Sequence, residues 1–582
     1  MKIQNPNLKM KNNNIKLNII LTLMIFLVVF LLPKISLAAT YWISPTGTAT
    51  WANCQSETPL EGTAACSLNT ANSNASAGDT IYLRGGTYSI SENGIAPSNN
   101  GSSYSKRITY SGYGDESVIL TGASPSAQGI YLNGRQYIKV TKISFTHFTH
   151  PMLITGGSQY NEVSYCDFSY QYSNASADWV GSRIRSGSKY NHIHHCTFRD
   201  YGWHDGDDHG VVFGIGIESS TSDGTKYNLV EYNTFYHGGH HVVEVNGSQN
   251  VFRYNYVHNE PSFLYNGTLY GNRSMFFAGL MPDVGRNLIH GNRIAYGGET
   301  SESDQCGGSG GTLSSSYNIL RRNIFYKCLL YGLYFTTYMG SSGPVALSTK
   351  NYVYHNTFWN NGITATCQAK PPWHGSLTHA INLNENATYT KDNVIKNNLF
   401  WANVNALNTT RPIVVSNSSN LPVYNTVINN FNETSDPKFV DISGTPDPTN
   451  QTQFNFNLQS DSPAIDGGGF LTTIISPSGS GTSFTVEDAN YFFDGWGLSV
   501  IATASVTGDK IQLQGQTTTA TITSVNYSTN TITVDTPLSW TQGQGISLAY
   551  EGSAPDYGAY EYVEATPPDT TPPAAPRNLT IL

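Results

Sequence analysis

One eight-residue phrase recurs along the middle of the chain, and a repeat of this kind confines the fold to a stack of similar units. It reads NEVSYCDF from Asn161, NHIHHCTF from Asn191, NLVEYNTF from Asn228 and NVFRYNYV from Asn250. It continues as NLIHGNRI from Asn287, NILRRNIF from Asn318, NYVYHNTF from Asn351 and NVIKNNLF from Asn393, with a weaker copy, IKVTKISF, from Ile138. Successive starts lie 23, 30, 37, 22, 37, 31, 33 and 42 residues apart, so one structural turn carries loops of differing length. The third and eighth positions are apolar, which predicts a buried side chain on either side of a bend. The sixth is Asn in six copies and Cys in two. Asn tolerates left-handed backbone and bonds its own turn, so stacked copies predict an Asn ladder. β-branched and aromatic residues dominate and no 3.6-residue apolar period persists, which excludes a helical repeat. With strands about 4.7 Å apart, the copies would span roughly 40 Å.

The 582 residues exceed one ordinary compact core, in keeping with a repeat architecture. A formal net charge of −9 leaves no basic face for nucleic acid. Low charge, 55 Gly and 37 Tyr suit a turn-rich all-β secreted protein. Lys9, Lys11 and Lys16 precede an apolar run from Leu17 to Leu32, and Ser36 to Ala39 offers small residues for a signal peptidase. The run is short for a ~30 Å bilayer core, so export with cleavage near Ala38 or Ala39 is expected in preference to a retained anchor, and no later stretch could span a membrane. Of seven cysteines, Cys54 and Cys66 suit a loop-closing disulfide, and Cys306, Cys328 and Cys367 could supply another. No CxxC pair points to a thiolate zinc site.

Segments outside the repeat frame it. YWISPTG (41–47) and AGDTIYLRGGTYS (77–89) precede it; DPKFVD (436–441), FNLQSDSPAIDGG (456–468) and DYGAYEY (556–562) follow. Together with the repeat, these segments resemble the right-handed parallel β-helix of the pectate-lyase-like superfamily, over about 41–470 and again at the end. The resemblance implies fold more than activity, since lyases, hydrolases, epimerases and adhesins share it. TSFTVEDANYFF, DKIQLQG and NTITVDTPLSW alternate polar and apolar residues, which predicts a small inserted antiparallel β module, expected to cap the open end of the stack. The expected order is a signal peptide (1–38), the β-helix (39–469), the inserted module (470–553), a closing segment (554–562) and a Pro/Thr linker (563–582). That linker ends in PPAAPRNLTIL, which resembles the start of a fibronectin type III domain.

Chemistry is expected where long loops leave smooth coils. His204 to Gly210 reads HDGDDHG, three carboxylates and two imidazoles in seven residues. Asp205, Asp207, Asp208 and Glu218 would suit Ca²⁺, which prefers oxygen ligands. His209, His240 and His241 are candidates for proton transfer. Alternation in VVEVNG sets Glu244 outward between core-facing Val243 and Val245, and Arg253 lies opposite core-facing Phe252. A carboxylate and a guanidinium on adjacent rungs could then grip an acidic sugar. Trp203, Tyr236 and Tyr265, among several aromatics in these loops, and Arg273 are candidates for sugar binding.

Chondroitinase-B-like and alginate-lyase-like β-helices use a Glu-x-Glu calcium pair followed by a lysine base. The matching positions here are Gly239, His241 and Asn246, so strict membership of that group is not expected. The expectation is a secreted, monomeric enzyme, lyase or hydrolase, acting on a uronate-containing polysaccharide at the coils of 191–287. A non-catalytic glycan-binding adhesin is the alternative.

Overall fold

The computed structural model describes residues 39–170, 180–201, 211–216, 223–238, 241–260, 263–265, 268–270, 274–278, 285–297, 309–337, 339–340, 343–344, 347–362, 379–403, 412–415, 421–433 and 435–564. Three long parallel sheets of thirteen, eleven and twelve strands run side by side, and each coil of the chain adds one strand to each. One coil illustrates the rule: His241–Val245 enters the eleven-stranded sheet, Val251–Arg253 the thirteen-stranded and Tyr256–His258 the twelve-stranded. This is a parallel β-helix, right-handed as parallel crossovers are.

The repeat phrase supplies two of the three strands. Its third residue is the middle of a three-residue strand and its eighth the middle of the next, so both point inward. Val163, Ile193, Val230, Phe252, Ile289 and Leu320 form one buried column, and Phe168, Phe198, Phe235, Val257, Ile294 and Phe325 another. Phe168 stacks on Phe198 at 4.5 Å and Phe198 on Phe235 at 5.1 Å, near the rung spacing itself.

Two Asn ladders close the corners. At the sixth position the amide of Asn233 donates to Asn255, Asn255 to Asn292, Asn292 to Asn323 and Asn323 to Asn356, each at 2.9–3.2 Å. A second ladder at the first position of the phrase runs Asn161, Asn191, Asn228, Asn250, Asn287, Asn318, Asn351 and Asn393. The left-handed residue is not the ladder Asn but the one before it: Tyr165, His195, Tyr232 and Tyr254 have φ of 53–56°. Their rings stack at 4.9, 5.3 and 5.2 Å along the solenoid, and this contact offsets the conformational cost of a bulky residue at positive φ. The Asn side chain thus bonds the next coil while still reaching its own turn, as Asn233 does to the Glu231 carbonyl at 3.0 Å.

The N-terminal entry adds the helix Leu68–Asn74, which lays Leu68 and Ala71 on the core, and the disulfide Cys54–Cys66. Cys328 is a buried free thiol and so forms no second disulfide; Cys306 and Cys367 lie outside the described residues. The antiparallel module, six strands between Thr472 and Leu548, does not cap the end of the stack. It lies along the flank, where Leu229, Val251, Leu288 and Ile319 on the outer face of the thirteen-stranded sheet meet Leu471, Ile474, Phe492 and Leu498. Outward apolar residues on successive coils make a stripe that only a second layer can cover. A hairpin, Phe439–Asp441 with Asn455–Leu458, covers the twelve-stranded sheet at Tyr326 and Trp359 in the same way. No helix among the described residues is long and apolar enough to cross a membrane.

Candidate active site

Seven of the eleven strands of the eleven-stranded sheet are five residues long, and most of the long inter-coil excursions enter the solenoid just before them. In two of these the third and fifth residues face the core, Phe213 and Ile215 in one and Val243 and Val245 in the other. The first and fourth face out, which puts His241 and Glu244 on one surface, with His241 Nε2 3.9 Å from Glu244 Oε1. Asn246 Nδ2 donates to Glu244 Oε2 at 3.2 Å. Alternation therefore places Glu244 as expected, yet at 2% exposure it is covered and not part of an open ladder surface.

Strand pairing brings a third group to this pair. Arg183, Gly214 and Glu244 are cross-strand partners on successive coils. Two rungs separate Arg183 from Glu244, about 10 Å between backbones, and the intervening glycine has no side chain to fill the gap. Arg183 and His241 are both buried. A guanidinium, an imidazole and a carboxylate thus share one covered surface, a set able to bind a carboxylate and move a proton.

Arg253 does not join them. The corner at 246–250 carries the chain from the eleven-stranded to the thirteen-stranded sheet, so Arg253 belongs to another face. There its Nε donates to Glu231 Oε2 at 2.6 Å, and its guanidinium reaches the Ser505 carbonyl of the flanking module at 3.1 Å. Glu231 also meets His192 Nε2 at 3.0 Å; burial would raise its pKa, but His192 and Arg253 hold it below the usual range. The expected Glu244–Arg253 grip is therefore replaced by an internal Arg253–Glu231 pair. Tyr236 is also elsewhere: it ends a strand of the twelve-stranded sheet, its ring stacked on His258 at 4.7 Å, instead of standing in a loop.

At the corner where the excursions leave the twelve-stranded sheet, a charged relay spans three coils. Asp200 Oδ1 meets His237 Nδ1 at 2.7 Å, His237 Nε2 meets Glu260 Oε1 at 3.2 Å, and Glu260 Oε2 meets His258 Nδ1 at 2.6 Å. Burial works against a charged His237, but Asp200 and Glu260 outweigh it and push its pKa up to about 9. These residues anchor the roots of the excursions. Sequence reasoning passed over them, and over Arg183. The signal for Arg183 was present: it is the fourth residue of VGSRI, as Glu244 is of HVVEV.

Trp203, Asp205, Asp207, Asp208, His209, Glu218, His240 and Arg273 lie outside the described residues. The backbone of Tyr265 pairs with Thr268 in a two-stranded hairpin within one excursion. Among the described residues no group of three or more His, Cys, Asp or Glu side chains is placed to hold a metal ion.

No family model matches the chain. No curated protein matches it either. Among solved structures it is similar to pectate lyase Pel9A at 14% identity, covering 91% of this chain and 97% of that one with a TM-score of 0.46. It is similar to a PL6-family polysaccharide lyase from Pseudopedobacter saltans at 16% identity, covering 68% and 95%, TM-score 0.41. A rhamnogalacturonan lyase matches at 15% identity, covering 72% and 97%, TM-score 0.44. These likenesses concern the coil architecture that the strand pairing already establishes.

Proposed function

We propose that the protein is a secreted enzyme that cleaves an acidic polysaccharide by β-elimination on the outer face of the eleven-stranded sheet. The observation that carries this reading is the covered trio of Arg183, His241 and Glu244. Arg183 pairs with the carboxylate of a uronate unit, which makes the proton on the adjacent ring carbon more acidic. His241 takes that proton, and Glu244, held by Asn246, orients the imidazole and stabilises its charged form. The electron pair left on carbon forms the C4–C5 double bond as the C4–oxygen bond breaks, and the departing oxygen takes the proton from the His241 imidazolium to give the new reducing end and restore the base. The guanidinium of Arg183 on one face with one imidazole and one carboxylate supports elimination, in which an acidic sugar is gripped and a single base takes the proton.

Asp205, Asp207, Asp208 and Glu218, which lie outside the described residues, are of the hard oxygen-donor type that suits calcium, and such an ion would supply positive charge for a uronate carboxylate. The basic, apolar and small-residue pattern of residues 1–38 supports export.

The test is incubation with a panel of uronate polymers, with and without chelator, following ultraviolet absorbance from unsaturated ends and the appearance of reducing ends. Ultraviolet gain lost on chelation supports a calcium-assisted lyase. Reducing ends without ultraviolet gain would overturn elimination in favour of hydrolysis. Neither signal, with polymer still retained on the protein, would make it a binding module. The double variant Asp207→Ala, Asp208→Ala is expected to lower turnover about tenfold or more, the usual scale for losing a positioned charge, with circular dichroism unchanged.

A further inference from the structure

The outward column that begins at His241 continues along the solenoid. Strand pairing carries it through Ser274, Ser309 and Tyr331 to His379, four rungs away and about 19 Å along the axis. His379 is 1% exposed, and among the described residues neither of its ring nitrogens has a hydrogen bond. Its neighbours are polar but occupied with one another. Tyr331 is its cross-strand partner and hydrogen-bonds Asn382, the Tyr331 and Tyr334 rings stack at 5.5 Å, and Asn384 Nδ2 reaches the Tyr334 hydroxyl at 3.4 Å. Burial lowers the His379 pKa to about 4, so the ring is neutral near pH 7 and presents one donor and one acceptor. A buried polar group left without partners is costly, and folding alone gives no return for this one.

Among the residues whose side chains are described, the two outward columns between Glu244 and His379 hold no charged residue: they read Ser309 and Tyr331 in one, Thr312 and Tyr334 in the other. A surface of hydroxyls ending in an unsatisfied imidazole suits sugar hydroxyls and not a second carboxylate. We propose that His379, with Tyr331 and Asn382, forms a distal subsite that hydrogen-bonds the hydroxyls of the polysaccharide about four rungs from the Arg183–His241–Glu244 trio. The substrate then lies along the solenoid axis, and since one rung is close to the length of one pyranose, about four sugar units bridge trio and subsite. This deepens the function proposed above and rests on the trio being the site of cleavage.

The probes are oligogalacturonates and oligomannuronates graded from trimer to octamer. For the wild type, kcat/KM should rise with length once the chain reaches His379. In His379→Leu the octamer should lose about tenfold in kcat/KM, the loss residing in KM, and His379→Gln, which keeps a donor and an acceptor, should recover part of it. Leucine replaces an unpartnered polar group in a buried place, so its melting temperature should equal or exceed that of the wild type; a purely structural role would move melting and not the length dependence. An identical length profile in wild type and His379→Leu would overturn the subsite. Should the wild type cleave none of the oligomers, the cleavage reading falls and binding decides the subsite on its own. Length-dependent shifts of the His379 imidazole nitrogen resonances, assigned by their loss in His379→Leu, would support it, and unmoved resonances would overturn it.

Discussion

The outer faces of the thirteen-stranded and eleven-stranded sheets both carry buried polar side chains, and they satisfy them differently. On the first, the chain supplies its own partners. Arg321 forms a two-pronged pair with Asp509 of the flanking module, with Nη1 2.6 Å from Oδ2, and His192 lies 2.8 Å from Thr503 Oγ1. Tyr352 donates to Asp488 at 2.6 Å. Apolar side chains fill the spaces between these pairs. On the second, no module meets the sheet among the described residues, and neither ring nitrogen of His379 at its far end has a hydrogen bond among them. The first face is largely closed by the chain's own module, although His290 Nδ1 and Arg321 Nε on it have no hydrogen bond among the described residues. On the second, both ring nitrogens of His379 stay unmatched under cover, which leaves them available to a group the chain does not supply.

The sharpest way to separate the two faces is to break one group on each. Arg321→Ala leaves Asp509 buried without its partner and should cost about 3–5 kcal/mol in denaturant unfolding, with turnover per folded molecule unchanged. Loss of turnover at full folding would dissolve the contrast. His241→Ala should do the reverse, lowering turnover about 100-fold or more while the circular dichroism spectrum is retained. A ladder runs along each edge of the thirteen-stranded sheet, and Asn292 belongs to the one at its corner with the twelve-stranded sheet. Asn292→Ala removes one amide from a continuous buried row and should cost about 1–3 kcal/mol, measured by thermal melting.

The smallest effect is a pH dependence that pairs two corners. His355 is buried against the Asp556 carbonyl and Asn397, and burial, aided by the neighbouring Arg322, lowers its pKa to about 3. Its folded value lies below the ordinary 6.5, so its contribution is complete above pH 6.5 and is lost as pH falls toward 3. His237, raised to about 9, contributes fully below pH 6.5 and loses that contribution as pH rises through 9. Melting temperature should fall by a few degrees on each side, and His355→Asn and His237→Asn should each flatten one arm only. Arms that persist in both variants would assign the dependence to other groups.

Much of the scaffold was legible because its cause is local. A strand buries alternate residues whatever lies beyond it, so Val163 and Phe168 could be assigned inward from the phrase, and Val243 and Val245 from the alternation of VVEV. The ladder was legible at its sixth position, where Asn alternates only with Cys; Cys166 and Cys196 keep that place as buried thiols on consecutive coils. The ladder at the first position went unread because an Asn that opens a phrase looks like a turn residue. Its partner is 22–42 residues away, and only stacking brings the two together. The role of the module was misjudged for a similar reason. Its alternating strands are plain in sequence, but which surface they cover depends on the apolar column Leu229, Val251, Leu288 and Ile319, one residue per coil.

The sequence by itself determined the coil, its inward residues, the amide rows and the fourth-residue position of Glu244, since these follow from periodicity within a few bonds. Only the tertiary structure decided that Arg253 turns away to Glu231, that Arg183 stands two rungs from Glu244 across Gly214, and that His379 ends the column of His241. Each depends on where the chain turns a corner and on which coil stacks against which. That information is set by the loops and by the packing of whole coils, and it is not written in the spacing of any one segment.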